Sequence, residues 1–272
     1  LILSSPDFIY ICEPRTGEKK VELSQRELAV RLSYFLWSTA PDETLLNLAE
    51  QGQLSEPSVL SQQVARLLTD PKADNFISGF THQWLDMKRL DPFDFSAELS
   101  PGFDDSVRNS SRKEVYETIR YLLDEKQPIE KLLKADFVVI NDVMADYYSM
   151  SGVEGSKYRR VSLPSDSPRG GLLGMAAIHA MGSDSRRTSP VERGSWVLRH
   201  LLNDPPPPAP ANVPQLERLE NEVLNTRQLL KAHQNEAQCA QCHQKIDPIG
   251  FGLENFTAAG LWRQQETICV EE

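Results

Sequence analysis

Apolar residues recur through the first half of the chain with the period of an α-helix, about 3.6 residues. Ser24-Gln25-Arg26-Glu27 reads as a capping box, in which the serine oxygen and the glutamate carboxylate each satisfy a backbone amide; Leu28, Leu32, Phe35 and Leu36 then share one face. Thr39-Ala40-Pro41-Asp42 opens a second helix with Leu45, Leu46 and Ala49 inward and Gly52 as its stop. Ser55 and Pro57 open a third, carrying Leu60, Val64, Leu67 and Leu68, and Asp70-Pro71 a fourth, carrying Phe76, Ile77, Phe80 and Trp84. After a loop at 91–95, Ser100-Pro101 begins a long helix striped by Val115, Ile119, Leu122 and Leu123, which ends before Pro128.

The pattern then shortens. A helical turn at 129–133 precedes Phe137-Val138-Val139-Ile140, a brief strand, and Asn141 caps a helix over 142–150. Residues 151–170, rich in Gly, Ser and Pro, read as a loop. Gly171 to Met181 is a buried helix broken at Gly182-Ser183-Asp184-Ser185, and Ser189-Pro190 starts the next, through Trp196 to Leu202. Pro205 to Pro210 is a stiff polyproline spacer. Beyond it, 216–233 reads as a charged helix. The expectation is a mainly α protein, a multi-helix domain followed by a small helical module. Its parts are a helical domain over 1–135, a connecting helical region over 136–204, a Pro-rich linker at 205–214 and a C-terminal module over 215–272.

Composition narrows the partners. The 272 residues are 40% apolar and 25% charged, enough for a packed core. A net charge of −10 and a pI of about 5.1 argue against nucleic acid and against an acidic membrane surface. No run of 18 apolar residues exists, so no transmembrane helix is expected. The opening Leu1-Ile2-Leu3-Ser4-Ser5-Pro6 is too short and uncharged for a signal peptide, so the chain is expected to be a fragment of a longer multidomain protein.

Four cysteines do not make a disulfide framework. Cys12 and Cys269 are either one bridge or two free thiols. The other two lie in Cys239-Ala240-Gln241-Cys242-His243, the Cys-x-x-Cys-His pattern that holds a c-type haem. In that pattern the thiols add to the porphyrin vinyl groups and the adjacent imidazole becomes an axial iron ligand. Zinc would want four ligands, and no second Cys-x-x-Cys or His-x-x-x-His stands in the chain, although His233 is a possible further ligand. A thioredoxin-like pair would want a βαβ context, which the pattern lacks. No nucleophile elbow, P-loop or dinucleotide fingerprint occurs.

From about Ser5 to Arg263 the chain resembles planctomycete-type exported proteins that carry a planctomycete cytochrome c-like domain beside domains of unknown function. The residues that carry the resemblance are Arg31 to Ser38 with Pro41-Asp42; Arg187-Thr188-Ser189-Pro190 with Arg193-Gly194 and the proline run; and Cys239 to His243 with Asp247-Pro248-Ile249-Gly250-Phe251 and Leu253-Glu254-Asn255-Phe256. Thr257 departs from the family's usual Asp and Ile246 from its frequent Met, and relatives usually continue past Trp262-Arg263 into another domain. The resemblance implies a periplasmic or otherwise extracytoplasmic location and a covalent haem c on Cys239, Cys242 and His243.

The sixth iron ligand decides the function. His233, Met175 and Met181 compete for it; His233 equally reads as a helix cap, and the methionines as core. Asp247 is expected to form a tight turn with Pro248, or else to accept the His243 Nδ1–H. Phe251, Phe256 and Trp262 read as a haem wall or as plain core, and Arg186, Arg187 and Arg193 as propionate partners or as caps and surface ion pairs. The leading expectation is an electron-transfer unit of a larger exported oxidoreductase, serving a redox partner protein that the sequence does not identify. The alternatives are a peroxidase-like haem enzyme with an open distal site, and a non-redox scaffold or interaction protein whose Cys-x-x-Cys-His is structural or metal-binding.

Overall fold

The computed structural model describes residues 4–5, 9, 22–92, 97, 100–183, 187–208, 227–228 and 237–265. The protein is mainly helical, as the periodicity predicts: among the described residues nine α-helices accompany one two-stranded sheet. It divides into two compact units, 1–76 and 77–272.

The first unit is built on α1 (Gln25–Trp37), α2 (Glu43–Glu50) and α3 (Pro57–Thr69). The capping box forms at Ser24 and Glu27. Asp42, the last residue of the expected opening segment, is the cap of α2; its carboxylate accepts the Leu45 N–H at 3.0 Å and a two-pronged contact from Arg66 at 2.7 and 3.1 Å. Those Arg66 bonds, ahead of the cap bond, hold the Asp42 carboxyl below its usual range. Both side chains are about one-third exposed, so the pair contributes at most about 1 kcal/mol. Apolar burial carries this unit: Ala29, Leu36, Trp37, Leu45, Leu54 and Leu67 form its core, and the Trp37 indole donates to the Leu67 carbonyl at 2.9 Å.

The division between the units falls within α4 (Asp74–Trp84), which follows a short 3-10 turn over Pro71–Ala73 instead of starting at Asp70-Pro71. In the second unit α5 (Asp105–Asp124) begins five residues later than Ser100. Asp104 wins as the cap because its carboxylate accepts the Val107 N–H at 2.9 Å, while Ser100 to Phe103 close a turn. Val107, Val115 and Leu122 of α5 pack against β1 (Phe137–Ile140) and α6 (Asp142–Tyr147), the latter capped by Asn141.

The stretch 151–170, read as a loop, contains β2 (Arg159–Ser162). It pairs antiparallel with β1 from Phe137 opposite Ser162 to Ile140 opposite Arg159. The alternation that marks a half-buried strand is absent from Arg159-Arg160-Val161-Ser162, which is why its sequence hid it. Nor is 171–181 one helix. Gly171 has φ +75° and lies against the Leu133 carbonyl, where a Cβ would come within 2.5 Å, so the chain makes a 3-10 turn at Leu172–Gly174 before α7 (Ala176–Met181). All six residues of α7 are buried. Then come α8 (Pro190–His200) and α9 (Ala237–Phe251). Two indoles tie the end of α4 to α8: Trp84 donates to the His200 carbonyl at 2.8 Å and Trp196 to the Leu85 carbonyl at 3.0 Å. The expected helix over 216–233 lies largely outside the described residues.

Among the described residues no helix is long and apolar enough to cross a membrane.

Candidate functional site

The Cys-x-x-Cys-His segment lies within α9. At about 3.6 residues per turn, Cys239 stands one turn before Cys242 and His243, and His243 one turn before Asp247. The side chain of Cys239 is outside the described residues; Cys242 is a partly buried free thiol. His243 is mostly buried, and its Nδ1 lies 2.9 Å from Oδ1 of Asp247, a carboxylate whose side chain is only 2% exposed. The geometry suits an Nδ1–H donating to a carboxylate. With Nδ1 committed to Asp247, a metal ligated by this ring would be bound through Nε2.

This arrangement corrects the expected turn at Asp247-Pro248. The helix runs on through Pro248 to Phe251, and so places Asp247 one turn below His243 rather than at a bend. Pro248 lacks an N–H and leaves the Gln244 carbonyl without its helical donor. Around this proline α9 packs extensively against α8. Two glycines make that contact close. A Cβ on Gly194 of α8 would overlap the Ile246 carbonyl, and a Cβ on Gly250 of α9 would overlap the Pro190 carbonyl. Ile246 itself is buried at the joint.

The chain after α9 is clamped by Arg193, which is 2% exposed. Its guanidinium donates to the carbonyls of Leu253 (2.9 Å), Phe256 (2.8 Å) and Thr257 (2.7 Å), to Ser183 Oγ (3.2 Å) and to Glu254 Oε1 (3.1 Å). Burial pulls its pKa down to about 10, which leaves it charged at neutral pH. Glu254 also accepts from Thr188 at 2.5 Å and pairs with Arg263 at 3.4 Å. Arg193 is thus a backbone clamp, neither a surface ion pair nor a free cation. Glu192, on the same helix, pairs with Arg89 at 2.6 Å.

The aromatic residues divide by burial. Phe256 is buried and stacks on His179 at 4.2 Å, with Trp262 edge-on at 5.1 Å and 45% exposed. Phe251 is half-buried under the Arg227 guanidinium, 4.3 Å from the ring centre. A cleft of about 190 Å³ opens there, lined by Arg227, Phe251, Glu254, Asn255 and Arg263 among others.

Met175 and Met181 are both buried in the core of the second unit. His179, between them, is fully buried; its Nε2 lies 2.8 Å from the Leu173 carbonyl, and burial holds its pKa well below the usual value, so the ring is neutral. His200 is held by the Trp84 carbonyl at 2.6 Å from Nδ1. His233, Cys12, Cys269 and Arg186 lie outside the described residues. Among the described residues no three His, Cys, Asp or Glu side chains converge as a metal cage.

Sequence reading missed the glycine pair and the clamp. Both stand in the quoted signatures, at Arg193-Gly194 and at Gly250, but a glycine's contact partner is written nowhere in its own neighbourhood.

Residues 23–150 match the family PSD4, a protein of unknown function (DUF1592), and residues 169–266 match PSCyt3, a protein of unknown function (DUF1588). No curated protein and no solved structure matches the chain. Over these two segments the chain is similar to planctomycete cytochrome-like domains of unknown function, and the second segment contains all of α7, α8 and α9.

Proposed function

We propose that α9 is the attachment helix of a c-type haem and that the protein is an electron-transfer module of a larger exported oxidoreductase. Cys239 and Cys242 are the two thioether positions, and His243 supplies the proximal imidazole through Nε2. The observation that carries this reading is the buried Asp247 carboxylate on His243 Nδ1. A ligating histidine has its second nitrogen held by an acceptor that fixes the tautomer and orients the ring. A merely structural Cys-x-x-Cys-His needs no such partner. A haem c, when bound, supplies one-electron chemistry. The distal position falls to Met175, Met181 or His233.

The protein, exported and matured with covalent haem-attachment machinery, should show a Soret band that stays with the polypeptide through acid-acetone extraction. Colourless protein after that maturation would reject the reading. A low-spin spectrum indifferent to cyanide and carbon monoxide is expected of an electron-transfer site, whereas a high-spin, ligand-binding spectrum would make it a haem enzyme.

Asp247→Asn keeps an acceptor at Oδ1 and removes the charge that makes the imidazole a stronger donor. Its reduction potential should rise by about 60–120 mV at unchanged haem content, the equivalent of about ten- to a hundredfold in relative affinity. An unaltered potential in a redox titration would show that Asp247 does not act through His243.

A further inference from the structure

Glu114 sits on the inner face of α5 and is completely buried. Its Oε2 accepts the Tyr148 hydroxyl at 2.7 Å, and its Oε1 has no partner. The Tyr148 hydroxyl in turn accepts the N–H of Ala176, the first residue of α7, at 2.9 Å. Arg169 lies across the Tyr148 ring, 3.7 Å from its centre. Its donors are directed elsewhere, to the carbonyls of Gly174 and Gly260, both at 2.8 Å.

Tyr148, Arg169 and Tyr158 are titratable groups that interact with Glu114. Tyr148 comes from the end of α6 and Arg169 from the segment before α7, while Tyr158, before β2, donates to the Ser110 carbonyl. β1 contributes only apolar side chains. His179 of α7 is neutral and turned to the Leu173 carbonyl and Phe256. In the turn Ile129–Leu132, Lys131 is paired with Asp136. Among the described residues no cation is ion-paired with the Glu114 carboxyl.

An anion in this position would be out of water with one neutral donor and one bare oxygen, the case in which burial favours the uncharged acid. We propose that Glu114 is a buried proton-binding site that joins α5, α6 and α7, occupied in the folded protein and weakening that joint when it empties. Burial raises the carboxyl to about 7 from an ordinary 4.5, with the Tyr148 bond and the Arg169 charge only partly opposing it. The folded state therefore holds the proton more tightly than the unfolded chain. The stabilisation is fully present below about pH 4.5 and is lost as the pH rises through about 7.

The test is urea denaturation of the full chain between about pH 5 and about pH 8, for wild type and for Glu114→Gln, which keeps a carbonyl acceptor for Tyr148. Over that range the wild-type folding equilibrium should weaken by an extra thirty- to hundredfold, roughly, compared with the variant. Equal pH dependence in the two proteins overturns the proposal. If Glu114→Gln does not fold, Tyr148→Phe decides: it removes a donor to the anion, so the proton-linked step should move to higher pH, and a step that stays or falls overturns the proposal. Independently, wild type near pH 5 should show the infrared stretch of a buried protonated carboxyl, and its absence there also refutes the assignment.

Discussion

Serine at both Cys239 and Cys242 should abolish covalent haem entirely, while leaving a folded helical protein. The thioether bonds need sulfur, and the serine hydroxyl does not add to a vinyl group under maturation conditions. The effect is therefore all or none in the acid-acetone assay. The helix should tolerate the change: serine and cysteine have similar helix propensities, and Cys242 is only partly buried. Circular dichroism of the double variant should match the wild-type protein before maturation. Extraction-resistant haem on the double variant would place attachment elsewhere and overturn the assignment. Loss of helical signal would instead assign the cysteines a packing role.

Gly250→Ala should be the most damaging single methyl group on α9. The new Cβ would overlap the Pro190 carbonyl and stand 2.8 Å from the Pro190 Cα. Both neighbours are backbone, so no side chain can rotate aside, and α8 or α9 must move as a body. Overpacking of this kind costs about 1–3 kcal/mol, and rigid neighbours put this site at the upper end. For a unit of this size about 3 kcal/mol corresponds to a fall in Tm of about 6–12 °C. Alanine is the better helix former, by about 1 kcal/mol over glycine, so a gain in stability would mean that the close approach of α8 and α9 is not kept in solution. Differential scanning calorimetry of wild type and variant distinguishes the two outcomes.

Local chemistry was legible where the chain repeats at one period. The capping box at Ser24, the Gly52 stop, the Asn141 cap and the brief strand at Phe137 are each written in a few adjacent residues, and each is present. α5 starts later than the sequence suggests because Ser100 and Asp104 compete as caps within five residues, and it is the Asp104 carboxylate that reaches an amide. β2 was hidden because an edge strand with three polar residues obeys no alternation. The Asp247-Pro248 turn was inferred from a pair that favours turns in isolation, but packing of α9 against α8 overrode it. Glu114 did leave a trace. It stands two turns after Val107, in line with Thr118 and Leu122, so a carboxylate interrupts an inward stripe. Only the fold shows that, among the described residues, no cation is ion-paired with this carboxyl.

The close seating of α9 on α8 has a consequence for timing. α8 is synthesised first, and it presents an uncovered surface at Gly194 until α9 arrives. The Pro205-to-Pro208 stretch cannot fill that surface as a helix, because prolines supply no amide ladder. Between the emergence of Cys239 and the closure of the glycine joint, the two thiols belong to a nascent segment that has not yet been locked against its neighbour.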